Sequence, residues 1–317
     1  MVIAVIAAVA AGCMFAVGSV LQQSAAAEAP RDRSLSWRLL ADLVQRPKWL
    51  LGISSDAVSF GFQALALAFG PLVLVQPLIV SGLLFALPLA ARMRRRRLGP
   101  REWTASVLVA GGLAMFLVSA SPGEGRSGAP FSDWVVVLGV VAAIMVVGVL
   151  AGRTASGPAQ PSFYALAAGA AFGLLAALTK TSAGLLGQGA VAFFTAWQPY
   201  SMAVVALLGA IVQQSAFQAG PLATSLPVMD AAEPATATLI GVFAFHENLA
   251  TSALAVSGEV IGICALLAGI VALDRSPLVL EVQQRYDEAG GQPASRVRSS
   301  SAKSGKCEEI VSSGNSS

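Results

Sequence analysis

Ala68-Phe69-Gly70-Pro71-Leu72-Val73-Leu74-Val75-Gln76-Pro77-Leu78 and Gln218-Ala219-Gly220-Pro221-Leu222-Ala223-Thr224-Ser225-Leu226-Pro227-Val228 follow one pattern. Each reads Gly-Pro-Leu, and each places a second proline six residues after the first. An offset of 150 residues carries Gly70 to Gly220, Pro77 to Pro227 and Gln63 to Gln213. A long apolar run precedes and follows each stretch, so each Gly-Pro reads as the tight joint of an antiparallel helical hairpin. The glycine is expected to supply unusual backbone angles, and the proline to start the next helix at its first turn. Pro77 and Pro227 lie six residues further in, where each removes a backbone hydrogen bond and kinks or breaks its helix. Such a break survives at membrane depth where the freed backbone faces protein or a water-filled cavity.

Outward from these stretches, nine apolar spans are expected, at about 2–22, 49–69, 71–91, 103–120, 134–151, 163–186, 198–219, 221–245 and 250–273. Each is near the length a bilayer requires. Five spans separate equivalent helices, an odd number, so equivalent helices run in opposite directions. The expected fold is therefore all-α integral membrane, with two inverted-topology repeats (about 1–121 and 133–273) in a membrane domain of residues 1–273. Residues 274–317, rich in Ser, Gly and charge, are expected to form a disordered cytoplasmic tail.

Composition sets the class. Of 317 residues, 56 % are apolar and 12 % charged, with a mean hydropathy of +0.72. A soluble domain carries about 25 % charge. The net charge of +3 does not point to nucleic acid, because the charges cluster between apolar runs. They report orientation instead. With the C-terminus inside, 18 of the 20 Lys and Arg fall on inner segments, including residues 94–97 and the tail. Only Arg126 falls in an outer loop, and Lys180 lies within a span. The positive-inside rule then places the N-terminus outside, in a multi-pass protein of the cell membrane. No basic segment precedes the first span, so it reads as a helix that is kept rather than a cleaved signal. Residues 34–48 place Leu35, Leu39, Leu43 and Trp37, Leu40, Val44 at helical spacing, as a short amphipathic helix or a plain loop. Cys13, Cys264 and Cys307 have no CxxC or His/Cys spacing, so neither a zinc site nor a disulfide framework is expected.

At Ala68-Phe69-Gly70-Pro71-Leu72-Val73-Leu74-Val75-Gln76-Pro77-Leu78 the chain resembles the drug/metabolite transporter (EamA-like) superfamily, nearest to its NIPA-type magnesium transporter branch. The resemblance implies a carrier with the substrate between two repeats. The second half departs from that branch, reading Pro227-Val228-Met229-Asp230-Ala231-Ala232-Glu233-Pro234 where an aromatic-rich helix would be expected.

Charges inside a bilayer cost about 2.5–3.5 kcal/mol each at mid-depth, so those present invite a role. They are Asp56, Lys180, Asp230, Glu233 and Glu259. Asp230 and Glu233, three apart, share a helix face. Bracketed by Pro227 and Pro234, they suit a cation or a proton relay; the structural alternative is satisfaction by neighbouring hydroxyls and Lys180. Asp56 lies among Ser54, Ser55 and Ser59, either lining the pathway or buried in a hydrogen bond. Glu259 sits in Gly258-Glu259-Val260-Ile261-Gly262, a spacing that allows close helix approach. Lys180 snorkels outward or pairs with an acid. Gln63, Gln76, Gln213, Gln214 and Gln218 suit a polar substrate or helix contacts equally. Trp197 and Tyr200 read as interfacial anchors.

His246-Glu247 is no HExxH, and neither a Walker A sequence nor a GxSxG elbow occurs, so no enzyme is expected. No cofactor is expected. The sequence thus points to a secondary transporter or facilitator of a small molecule or cation by alternating access. A magnesium or other divalent-cation transporter is the alternative, and a non-transporting scaffold or receptor a third. Its partners would be the substrate and the lipid bilayer, with no nucleic acid; a homodimer is compatible with the sequence.

Overall fold

The computed structural model describes residues 2–69, 78–79, 81–93, 95, 98–120, 129–246, 252–277 and 279–280. The first Gly-Pro joint with Gln76 and Pro77, the loop at 121–128, the loop at 247–251 and the tail from 281 onward lie outside them. Among the described residues the regular structure is wholly helical. The helices are α1 (Val2–Ala27), α2 (Trp37–Leu43), α3 (Pro47–Phe69), α4 (Gly82–Met93), α5 (Pro100–Ala120), α6 (Phe131–Thr154), α7 (Ala159–Gly187), α8 (Ala190–Thr195), α9 (Gln198–Ala219), α10 (Leu222–Phe245) and α11 (Ala253–Asp274). Seven of them (α1, α5, α6, α7, α9, α10 and α11) are long and apolar enough to cross a membrane. The chain is an all-α membrane protein.

Several helices run a few residues past the apolar spans, α1 to Ala27 and α7 back to Ala159. Hydropathy marks only the part in contact with hydrocarbon, whereas backbone hydrogen bonding continues until a cap or a proline ends it. The amphipathic helix expected in 34–48 is α2. Its Leu39 and Leu43 are fully buried and Trp37 is exposed, and it docks on α9, so its apolar face covers protein as well as any lipid surface.

Helix α1 packs antiparallel on α3. Ser59 donates to the carbonyl of Ala11 and Ser55 to that of Met14, so residue numbers fall on one helix as they rise on the other. The approach is close because Gly18 faces Gly52 across the pair. Helix α7 packs in the same way on α9, with Phe172 near Gly209 and Thr179 near Met202. Each of α1 and α7 also packs on the helix after its partner, α4 and α10 respectively. Finally α5 packs antiparallel on α11: Gly112 meets Gly262 and Leu266, Phe116 meets Gly262, and Ala105 and Val109 meet Gly269.

The second Gly-Pro joint is present, with one correction. Gly220 has φ −166 and ψ −173, an extended backbone open to any residue, and Pro221 stands one position before the helix rather than in its first turn. A sharp joint here needs only two extended residues between Ala219 and Leu222. Pro227, expected to kink or break its helix, and Pro234, the other proline expected to interrupt it at the site, do not end it: α10 runs from Leu222 to Phe245 through both. Each proline still deprives the carbonyl four residues earlier, Ala223 and Asp230, of its amide donor.

Candidate functional site

Two glycines of α7 place the acidic pair. A Cβ at Gly169 would lie 2.6 Å from the Met229 carbonyl oxygen, and one at Gly173 would lie 2.6 Å from that of Glu233. The backbone of α10 therefore rests against α7 along its Met229–Ala232–Thr236 side. Asp230, Glu233 and Pro234 line a cavity of about 280 Å³. Phe15 from α1, Ser59, Phe60 and Gln63 from α3, and Leu113 and Leu117 from α5 close around it. Asp230 is half-buried and Glu233 accessible. Both stand near the middle of α10, and Phe15 near the middle of α1, so the cavity lies near the middle of these helices. Among the described residues no basic side chain lines it. Chemically this is a small, partly aromatic chamber with two carboxylates, an amide and a hydroxyl.

Of the residues expected from sequence, the fold brings Gln63, Asp230, Glu233 and Pro234 together. Asp56 lies one turn from Ser59 on α3 and is engaged elsewhere: its Oδ2 accepts from Gln22 Nε2 at 2.5 Å, while its Oδ1 is buried without a partner. Pro227 lies two turns before Pro234 on α10 and outside the lining. Gln213, on α9, is outside the cavity as well. Lys180 does not reach the acidic pair; its Nζ stands 4.7 Å from the centre of the Phe245 ring, a cation–π contact. Glu259 is on α11 beside the Gly258 and Gly262 contacts with α5, with Oε1 buried and unpartnered. Trp197 sits edge-on to Phe131 and Trp134, and Tyr200 is exposed with its hydroxyl donating to the Phe194 carbonyl.

Toward one end of the bundle lie four buried glutamines whose role sequence reasoning left open or missed. Gln214 Nε2 donates to Gln22 Oε1 at 2.9 Å, extending the chain from Asp56 across three helices. Gln23 Nε2 donates to the Gly220 carbonyl at 3.0 Å, and Gln218 Nε2 to that of Pro30 at 2.8 Å. Gln22, Gln23, Gln214 and Gln218 are all buried. Ser59 was also missed, although Asp56, Ser59 and Gln63 recur at i, i+3 and i+7, a polar stripe along one side of an apolar helix.

The chain is 32 % identical over 277 residues to "Uncharacterized protein Cgl0250/cg0304" of Corynebacterium glutamicum, covering 86 % of this chain and 95 % of that relative. No protein-family model matches the chain, and neither does any solved structure.

Proposed function

The chain belongs to the family of that Corynebacterium glutamicum protein, and we propose that it is a secondary transporter or facilitator of a small solute, of the drug/metabolite transporter type. The observation that carries this reading is the cavity near the middle of the helices, whose two carboxylates come from one half of the chain and whose other walls come from the other half. A scaffold or receptor has no need to keep a chamber open onto charges that cost several kcal/mol to bury.

An inverted repeat supports the same reading. Element order repeats, with α1, α2, α3, α4 and α5 answered by α7, α8, α9, α10 and α11, and with α6 as an addition. The α5–α11 contact is its own image. Moving 150 residues along exchanges Gly112 with Gly262 and Phe116 with Leu266, which turns the Gly112–Leu266 contact into the Gly262–Phe116 contact. Equivalent helices crossing antiparallel at equivalent glycines are related by a two-fold axis perpendicular to both, which for spanning helices lies in the membrane plane. In this reading the N-terminus is outside, the basic ends are inside, the membrane is the cell membrane, and the buried glutamines lie toward the inner side. The carboxylate pair also suits a divalent cation such as magnesium as cargo.

Uptake and efflux in reconstituted vesicles test the function. A solute panel that includes magnesium is offered with and without a proton gradient. Asp230→Asn and Glu233→Gln keep size and most hydrogen bonding but lose charge. Each is expected to lower transport by about tenfold or more, a rise of at least roughly 1.4 kcal/mol in the transport barrier. Loss of affinity for a cation identifies cargo binding, and loss of pH dependence identifies proton coupling. Transport in both variants with unchanged pH and cation dependence would overturn the assignment of the pair.

A further inference from the structure

A second concavity lies on the outer wall of the bundle, between α5 and α11. It is a groove of about 710 Å³ that shares no lining residue with the acidic chamber. Its floor is small side chains, Ala105, Ala268 and Ala272, and its sides are Leu108, Leu267 and Val271. The last three are 38 %, 55 % and 47 % exposed, so apolar surface faces outward along its length. At one end it is flanked by two arginines. Arg101 lies in the first turn of α5 and Arg275 directly follows α11. The helices are antiparallel, with Ala105 against Gly269, which brings these two residues to the same end of the pair.

Neither guanidinium has a carboxylate partner among the described residues. The acids next to them in sequence are occupied or turned away. Glu102 is buried and accepts the Gly99 amide at 2.8 Å, and Asp274 Oδ1 is buried. Among the described residues no acidic side chain lines the groove. Arg92 and Arg95, at the joint between α4 and α5, bring further positive charge to this end.

We propose that the groove is a binding site for an anionic phospholipid, with the headgroup phosphate held between Arg101 and Arg275 and an acyl chain laid along Leu108, Leu267 and Val271. Two fixed cations above an apolar trough match a molecule with its negative charge at one end and hydrocarbon below, and match a zwitterionic lipid poorly. A guanidinium offers planar, forked donors suited to phosphate oxygens. A second copy of the chain would bring the same arginines to the same place, so like charges oppose that occupant.

The test is native mass spectrometry of the purified full-length protein, given equimolar phosphatidylglycerol and phosphatidylcholine with identical acyl chains. Phosphatidylglycerol is expected to be retained in preference. R101Q and R275Q, at exposed positions, are each expected to lower its retention about fivefold, whereas R153Q, at the end of α6 and away from the groove, leaves it unchanged. A268F, which fills the trough and touches neither charge, is expected to lower retention as well. Equal retention of the two lipids would overturn the proposal, as would effects of R101Q and R275Q no larger than that of R153Q. Displacement of the lipid by soluble glycerophosphoglycerol at the same concentration would also overturn it, since the trough would then contribute nothing. So would a protein dimer appearing in place of the lipid adducts.

Discussion

Asp56 gives one carboxylate oxygen to Gln22 and holds the other in a buried place without a donor. Gln22 in turn accepts from Gln214, so a single glutamine of α1 ties a helix of each half to the other. The energetics of such a chain are asymmetric: deleting one member strands its neighbours, and deleting neighbours together strands less. Gln22→Leu is therefore expected to cost about 1–3 kcal/mol or more. Adding Asp56→Leu should restore part of that loss rather than add a second full one. Thermal melting of the two single variants and the double variant in detergent measures the coupling, and strictly additive losses would show that the residues act independently. The same reasoning locates the acidic pair. Asp230 and Glu233 share a face by their spacing alone, but only the tertiary structure sets both carboxylates on the chamber, with the α10 backbone seated on Gly169 and Gly173 of α7.

At the scale of elements, helix pairs close over glycine. In a bilayer little hydrophobic force pulls one apolar helix onto another, so association relies on van der Waals contact and small residues. The α5–α11 crossing is the clearest case. A Cβ at Gly112 would lie 2.5 Å from the Leu266 amide nitrogen, a backbone atom that cannot move aside cheaply. At the adjacent Gly111 nothing stands within 4 Å. Gly112→Leu is expected to destabilise by about 3 kcal/mol or more through overpacking, while Gly111→Leu is nearly neutral. The yield of monodisperse protein and its melting temperature check both; equal behaviour of the two variants would contradict this crossing. The same crossing sets the direction of the proposed repeat, because it makes equivalent helices antiparallel.

At the scale of the whole molecule, basic residues gather where α4 meets α5 and where α11 ends, and the proposed orientation puts that end inside the cell. In a background lacking the three native cysteines, a cysteine at Gly123 should react with an impermeant reagent in intact cells. One at Ser300 should react only after permeabilisation; labelling at Ser300 without it would reverse the topology. The sequence by itself determined that this is a helical membrane protein and nearly where its helices lie. A bilayer offers backbone groups no partners, so any spanning segment must be apolar, long and internally hydrogen-bonded, and that demand is written locally. The Asp230 and Glu233 spacing was legible for the same reason. What only the tertiary structure decided is which helix each glycine lets in. Asp56 joined Gln22 and left the chamber, Lys180 met the Phe245 ring, and Glu259 stayed at the α5 contact. Local sequence records that a close approach is allowed, but the partner depends on how every other helix is placed around it.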